Sequence, residues 1–547
     1  MKLLVALCLC AYAYAYDTYP HPELDEREVK FDDSTYGLME MMKRGVIKGL
    51  INPGYGGKDE LHVGTCAPEK EPDAWKFLGN TEASLSTENP SATWENYCFT
   101  KNSVTFKWID DLNAEVVLHT SGKKSLLCTD SYLVSTLVNF DMKIVKTEGR
   151  HVIRYKFEDA NEALIAKNMG LKVIKFCDHW YNVLPDFLMT LRFFIVDVLT
   201  MKLDISLPAS WYEKMYDNHY RFLHRWEGLK LVERKPKVML GADFFERNAK
   251  SGDIMCRYAG SGTSSIILWA TGAQCSHIAV YMWGKKGTTD QGKLFVLQSN
   301  EDGIWKQPIA DFWADNQNTT TVMLPLSATY RAAFNEDKAW EWFETVNGLP
   351  YGIHNMFFTF LDTPENNWPQ VISSDSWFTF MNILNKVVPS KPGDEGPADK
   401  IMGQALNHRL GTQGLSLPQI VLEAAKRGLT MGELIAMPEQ EGWLYDGNPN
   451  YVCCAFAAAL WYHGGLFGDM TILPNEFTNE DIFSIKVYDE NYTLPPECQA
   501  NDPELPFCVT SGIYKVDPRN FNKVLPYSHM NEACPSKAPF YRRPERC

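Results

Sequence analysis

Two adjacent cysteines, Cys453 and Cys454, open a run of small and apolar residues that continues to Trp461. A polar segment at 447–450 precedes the run, and Gly464 follows it. This pattern predicts a helix that begins at the cysteines and is buried on most sides. The first N–H groups of a helix lack intrahelical acceptors and the dipole is positive there, so a thiol at this position is a candidate nucleophile. Taken alone, the pattern favours two inert core cysteines, and only the rest of the chain favours chemistry.

A cysteine hydrolase also needs a base that takes and returns a proton, and a group that orients this base. The best candidate base is His277, which lies in the apolar strand pattern at 276–283. Gln298 ends a second apolar strand pattern and is placed to bond the other ring nitrogen of His277. The plain alternatives are a structural histidine and a strand that simply ends at Gln298. Three further histidines lie in the preceding part of the chain: His119, His151 and His179.

A metal site is the alternative reading of the same residues. Cys275 and His277 are two positions apart on one strand, so they share a face and, with Cys453 and Cys454, offer four zinc ligands. The spacing matches no known zinc finger, and adjacent cysteines are awkward ligands for one ion. We therefore expect neither a metal nor a cofactor.

A series of segments in a fixed order gives a resemblance. The segments are GDI (252–254), SHIAVY (276–281), FVLQS (295–299), GI (303–304), QPIADF (307–312), GLPYG (348–352) and CCAF (453–456). In this order the chain resembles the permuted papain-fold cysteine hydrolases of the NlpC-like superfamily, the YiiX-like group. In that group the histidine strand precedes the cysteine helix, which is the reverse of papain. The resemblance covers residues 245 to 487.

The resemblance implies a role for each candidate residue. Cys453 is the nucleophile, because two small residues and a large apolar one follow it, whereas a start at Cys454 places Phe456 where a small residue or Glu is usual. His277 is then the base and Gln298 the third residue, a position where relatives carry Glu or another polar residue. A backbone N–H at the helix start, that of Cys453 itself, is expected to hold the oxyanion.

Three further residues are candidates for the oxyanion site and the cleft. These are Cys454, Tyr281 and Tyr351. Cys454 lies beside the nucleophile, at a position that is small in the resembling family. The two tyrosines belong to the resembling segments, although aromatic residues in a core need no such role.

The chain has 547 residues, too many for one core. We predict an α+β protein: a permuted papain-like (NlpC-like) domain with an antiparallel sheet and a buried cysteine helix, an N-terminal mixed accessory domain and a disulfide-rich C-terminal tail. Strand patterns at 104–108, 115–119, 143–145 and 151–157 predict a small antiparallel sheet in the accessory domain. The predicted boundaries are 1–15 for a signal peptide, 16–240 for the accessory domain, 241–490 for the hydrolase domain with an insertion at about 356–447, and 491–547 for the tail.

The first residues predict the compartment. Lys2 is followed by an apolar run and then by Ala13 and Ala15, which is typical of a cleaved secretory signal and too short to span a bilayer. We therefore expect a secreted or lumenal protein, with vacuolar or lysosomal locations included, and no transmembrane segment. An apolar segment at 183–199 has helical spacing and is predicted to be a core or domain-interface helix. Asn318 and Asn491 begin glycosylation sequons.

The cysteines outside the signal fall into three groups of four along the chain. In an oxidising compartment the first and last groups indicate disulfides, whose pairing within each group stays open, and Cys453 is expected to remain a free thiol. The groups are Cys66, Cys98, Cys128 and Cys177; Cys256, Cys275, Cys453 and Cys454; and Cys498, Cys508, Cys534 and Cys547.

The net charge of −15 comes without a basic block, so nucleic acid is not an expected partner. Three functions remain open. The first is a secreted thiol hydrolase, a peptidase or amidase that cleaves an amide. The second is a lipid acyl hydrolase or acyltransferase on the same scaffold, and the third is a catalytically inactive extracellular binding or structural protein. A peptide- or acyl-type substrate is thus expected, and the oligomeric state stays open.

Overall fold

The structure is a computed structural model, and its described residues are 80–95, 98–124, 130–176, 233–258, 267, 273–300, 302–316, 319–352, 354, 358, 374–387, 396, 398–435, 437–514 and 516–527. The predicted signal at 1–15, the apolar segment at 183–199 and the sequon residue Asn318 lie outside these residues. Within the described ranges, every helix is too short or too polar to cross a membrane.

The strands and helices of the described residues up to 248 are β1 (Asn80–Leu85), β2 (Ser91–Trp94), β3 (Phe99–Asp110), β4 (Asn113–Lys123), β5 (Asp130–Ser135), β6 (Phe140–Val145), β7 (Gly149–Lys156), α1 (Ala160–Met169), β8 (Leu171–Phe176), β9 (Glu233–Met239) and α2 (Ala242–Asn248). Those that follow up to 346 are β10 (Ile254–Tyr258), β11 (His277–Trp283), β12 (Leu294–Asn300), β13 (Gly303–Pro308), α3 (Ile309–Asp315), β14 (Thr320–Leu324), α4 (Ala328–Ala333) and α5 (Glu336–Val346).

The remaining elements are mainly helical. They are α6 (Ser374–Val387), a π-helical turn (Asp399–Gly403), α7 (Gln404–Leu410), α8 (Leu417–Arg427), α9 (Met431–Ile435), α10 (Cys453–His463), a 3₁₀ turn (Pro474–Glu476), α11 (Asn479–Ser484), α12 (Pro496–Asn501) and β15 (Cys508–Tyr514).

The chain divides into two compact units. Unit 1 comprises Met1–Phe222 and Pro369–Leu434, and unit 2 comprises Leu223–Trp368 and Ile435–Cys547. Both units combine helices with antiparallel sheets, so the α+β class is confirmed.

Unit 1 contains two four-stranded antiparallel sheets, with strand orders β1-β8-β5-β6 and β2-β3-β4-β7. Alternate residues of β3 and β4, such as Val104 and Val116, point into a core that includes Phe157. The four predicted strand patterns fall in β3, β4, β6 and β7, but β6 belongs to the other sheet. The sequence shows which residues are extended, whereas the choice of partner depends on long-range pairing.

Unit 2 contains one seven-stranded antiparallel sheet, with strand order β13-β12-β11-β10-β14-β15-β9. The predicted cysteine helix is α10, which begins at Cys453 and lies against β11 and β12. Its first nine residues are all buried, as their small and apolar side chains predict. Near its end, the indole N–H of Trp461 donates to the carbonyl of Gly252 at 2.9 Å, which ties the helix to the residues just before β10.

The observed units differ from the predicted boundaries at three places. Residues 369–434, which were expected as part of an insertion in the hydrolase domain, group with unit 1. The predicted tail supplies β15, which lies between β14 and β9, and β9 itself precedes residue 241. Chain composition hides these strands, because β15 follows a Pro-rich stretch and β9 contains a proline.

Two disulfides connect described cysteines. Cys498 bonds Cys508, a pair within the C-terminal group as predicted, with Cα atoms 5.3 Å apart. Cys256 bonds Cys275, with Cα atoms 5.7 Å apart, and this pairing in the middle group was not predicted. Cys98 is also disulfide-bonded, while Cys66, Cys128 and Cys177 lie outside the described residues.

Candidate active site

The start of α10 places Cys453 inside unit 2. Cys453 is the first residue of the helix, follows Val452 in an extended conformation, and is 1% exposed. The preceding backbone is held firmly, because the carbonyl of Tyr451 accepts from the Ser299 hydroxyl at 2.8 Å and from the Gly352 N–H at 3.0 Å. Two strand or loop segments therefore fix the chain two residues before the cysteine.

His277 is the first residue of β11 and is buried beside Gln298. The Nε2 atom of His277 lies 2.8 Å from Oε1 of Gln298, and the Gln298 amide N–H₂ donates to Oε1 of Gln307 at 3.1 Å. Because the Gln298 oxygen only accepts, Nε2 carries the proton, and Nδ1 is left as the acceptor for a thiol. Gln307 thus orients Gln298, which in turn orients the imidazole.

The surroundings of Cys453 favour its ionised form. The thiol of Cys454 donates to its sulfur, His277 adds a hydrogen bond and a favourable charge, and the N–H of Ile278 donates as well. Together these contacts hold the pKa of Cys453 well below its usual range, against the opposing effect of burial. The structure thus brings together Cys453, His277 and Gln298, the three residues predicted as catalytic.

Cys454 is the opposite case. Burial, followed by the hydrogen bond and charge of Cys453, raises the pKa of the Cys454 thiol well above its usual range. Both cysteines are free thiols. Of the two neighbours, Cys453 is therefore the one whose environment favours a nucleophilic thiolate, and Cys454 acts as a donor to it.

The two predicted cleft tyrosines lie in different surroundings. Tyr281 is 1% exposed, and its ring stacks on Phe245 at 5.6 Å within a hydrophobic cluster, so it packs in the core rather than lining a cleft. Tyr351 is half-buried and directly precedes Gly352, which contacts the backbone of Tyr451.

The zinc alternative loses one of its four ligands. Cys275 is in a disulfide with Cys256, so its sulfur is not a thiolate. The bond instead holds the start of β11 against β10, two residues before His277.

Asn479, the first residue of α11, contacts Cys453 and was not predicted. It is completely buried, its Oδ1 lies 3.7 Å from the sulfur of Cys453, and its Nδ2 donates to the carbonyl of Cys275 at 3.0 Å. The only local signal around it is the helix-capping pattern of Thr478 and Asp481, which says nothing about a distant cysteine.

Comparisons with known proteins give no independent assignment. No family model, curated protein or solved structure matches this chain.

Proposed function

We propose that this chain is a secreted thiol hydrolase that cleaves an amide, with Cys453 as nucleophile, His277 as base and Gln298 as the orienting residue. The proposal rests on the contacts made by the Cys453 sulfur. Cys453 begins a buried helix and receives hydrogen bonds from Cys454 and Ile278, beside an imidazole that Gln298 fixes. A helix start, an oriented base and a depressed thiol pKa are the requirements of a cysteine nucleophile.

The order of the elements supports a permuted papain-like arrangement. The histidine strand β11 precedes the cysteine helix α10 in the chain, and both belong to unit 2, in which α10 lies against β11 and β12. The same order, with the histidine strand before the cysteine helix, is that of the NlpC-like group that the chain resembles in its motifs.

The proposed reaction has two halves. His277 Nδ1 takes the thiol proton, and the sulfur of Cys453 attacks the carbonyl carbon of the amide, while the first N–H groups of α10 stabilise the oxyanion. Collapse of this intermediate breaks the C–N bond, and His277 gives its proton to the leaving amine. A water molecule, deprotonated by His277, then hydrolyses the thioester and restores the free thiol.

The proposed compartment is extracellular or lumenal. The Cys256–Cys275 and Cys498–Cys508 disulfides are compatible with an oxidising environment. The sequon residue Asn491 is exposed, so an attached glycan meets no packing obstacle at that side chain.

The test is labelling of the full chain with an iodoacetamide probe, followed by peptide mapping and by turnover assays on a peptide-amide library and on acyl esters. Cys453→Ala should abolish both labelling at this site and hydrolysis while the protein stays folded. His277→Ala should cost nearly as much hydrolysis, since nucleophile and base act as a unit, and Gln298→Ala should cost less.

Cys454→Ser is the matched control, because it changes the neighbouring sulfur and keeps a donor. It should retain hydrolysis. Loss of activity in Cys454→Ser but not in Cys453→Ala would place the nucleophile one residue later. Turnover of acyl esters without any amide cleavage would instead favour the lipid acyl hydrolase. A wild-type chain that turns over neither substrate class would leave only the binding protein.

A further inference from the structure

The side-chain amide of Asn479 links the nucleophile to the start of β11. Its two ends make different contacts, with Oδ1 on the Cys453 sulfur and Nδ2 on the Cys275 carbonyl. Asn479 and Cys453 are both buried, so neither contact is exchanged readily for water.

The chemistry of the Cys275 carbonyl fixes which way the amide faces. A backbone carbonyl only accepts hydrogen bonds, so the N–H₂ end of Asn479 must point at it and the oxygen end must point at the sulfur. An amide oxygen is itself only an acceptor. The contact with Cys453 is therefore made by a protonated thiol that donates to Asn479.

This contact competes with the others around the same sulfur. The single thiol proton points either at Oδ1 of Asn479 or at the imidazole of His277. Cys454 and Ile278 donate to the sulfur and favour the thiolate, whereas the Asn479 oxygen favours the thiol. Once the proton is on His277, the Asn479 contact is lost and its oxygen faces a negative sulfur.

We propose that Asn479 is a positioning residue, which accepts a hydrogen bond from Cys453 in the protonated form of the thiol and loses that contact when the proton moves to His277. This role rests on the proposed function, because it fixes the Cys453 side chain in the protonated form from which His277 removes the proton. The orientation of the Asn479 amide is set by the carbonyl of Cys275, a residue held in place by its disulfide with Cys256.

Other titratable groups near α10 do not explain the contact. Among the elements packed against α10, the carboxylate of Glu476 accepts a hydrogen bond from the N–H of Glu439, and that of Asp481 accepts one from the N–H of Thr478. Glu480 is buried, and β12 carries no titratable side chain. The charged residues of α5 are exposed, apart from the half-buried Glu336. His277 and Cys454 are thus the titratable groups in contact with the sulfur.

The experiment measures the pH profile of Cys453 alkylation by iodoacetamide in the full chain, read by mass spectrometry. Asn479→Ala removes the acceptor, so the midpoint should fall by about half a pH unit, given the modest strength of one hydrogen bond to a thiol. Asn479→Asp keeps the shape but places a carboxylate beside the sulfur, so the midpoint should rise by about one unit or more.

The matched control is the same pair of changes at Asn382, a buried asparagine of unit 1 whose amide also donates to backbone carbonyls. Those variants should leave the Cys453 midpoint unchanged. A purely structural role for Asn479 predicts lower melting temperatures without midpoint shifts of opposite sign, and that result would overturn the proposal. If Asn479→Asp does not fold, the sign of the shift in Asn479→Ala decides.

Alkylation needs no turnover, so this result stands apart from the proposed function. Opposite shifts in a chain that hydrolyses nothing would support the role of Asn479 at the thiol and count against the hydrolase alone. An unchanged profile in an active enzyme would overturn the Asn479 proposal alone.

Discussion

At the residue scale, the candidate site contains two neighbouring thiols whose pKa values shift in opposite directions. Both are buried, yet the pKa of Cys453 is lowered and that of Cys454 is raised. The difference arises because the Cys453 sulfur receives hydrogen bonds from Cys454 and Ile278 and its ionised form is stabilised by His277, whereas burial beside a charged sulfur disfavours ionisation of Cys454. Cys453 is also the residue that the sequence favours as nucleophile, because two small residues and a large apolar one follow it.

Cys454 should therefore control how easily Cys453 ionises. Cys454→Ala removes the leading donor to the sulfur, so the pKa of Cys453 should rise and the midpoint of its alkylation profile should move to higher pH. At neutral pH less thiolate remains, and labelling slows. Cys454→Ser keeps a hydroxyl donor and should hold the midpoint near the wild-type value. A serine variant that shifts as far as the alanine variant would show that the donor is not what matters.

The sequence predicts three of the site residues and misses others. Cys453 begins a helix, His277 begins β11, and Gln298 follows the apolar residues of β12, which continues to Asn300; local pattern and the resemblance point to all three. Gln307, which orients Gln298, and Asn479 were missed as site residues. Asn479 meets the sulfur only because tertiary packing brings together positions 26 residues apart, and no local periodicity records that.

At the element scale, a close backbone approach holds the cysteine helix in place. A Cβ on Gly352 would lie 2.7 Å from the backbone nitrogen and from the oxygen of Tyr451, too close for any side chain. Glycine is required here by proximity rather than by backbone conformation. The GLPYG segment, noticed in the sequence for its resemblance, thus has a physical role two residues before Cys453.

Gly352→Ala should displace the start of α10. We expect a loss of about 1–3 kcal/mol of unfolding free energy, as for other overpacked sites, together with slower Cys453 alkylation. Gly442→Ala is the control, because a Cβ there meets nothing within 4 Å. Thermal unfolding and alkylation rates measure both effects. Equal behaviour of the two variants would mean that the Tyr451 backbone moves aside without consequence.

The Cys256–Cys275 disulfide should matter more to the site than its loop length suggests. Replacing both cysteines by serine should cost about 3 kcal/mol of stability, as expected for a bond that closes 19 residues. It should also change the Cys453 alkylation profile, since the Cys275 carbonyl holds Asn479.

The corresponding double serine variant of Cys498 and Cys508, which are 10 residues apart, should lose similar stability but keep the profile. Non-reducing peptide mapping verifies both bonds in the starting protein. If the two double variants change the profile equally, the effect is one of general stability and not of the Asn479 contact.

At the scale of the whole molecule, each unit has its own core. Phe157 packs in unit 1, where its ring stacks on Trp108 at 4.9 Å, and Phe245 packs in unit 2 against Tyr281 and Trp313. The α+β class followed from the alternating strand patterns and one apolar helix. The grouping of residues 369–434 with unit 1 did not, because a chain that leaves one core and returns to it carries no local signal of where it returns.

Two cores predict two separable responses to core damage. Phe245→Ala and Phe157→Ala remove rings of the same size from buried positions, and each should cost about 3–5 kcal/mol in its own unit. Because Cys453 belongs to unit 2, Phe245→Ala should expose it to alkylation at a lower temperature. Phe157→Ala should leave that temperature unchanged, while hydrogen exchange of unit 1 peptides accelerates.

The two variants are controls for each other, since the substitution and its burial are matched and only the unit differs. Alkylation of Cys453 during a temperature ramp, followed by mass spectrometry, gives the release temperature of each variant, which is the temperature at which Cys453 becomes accessible to the reagent. A lower release temperature in both variants would mean that the units unfold as one cooperative body, which departs from independent domains. Because the candidate site lies wholly in unit 2, separate unfolding would also imply that damage to the unit 1 core leaves the contacts among Cys453, Asn479, His277 and Gln298 in place.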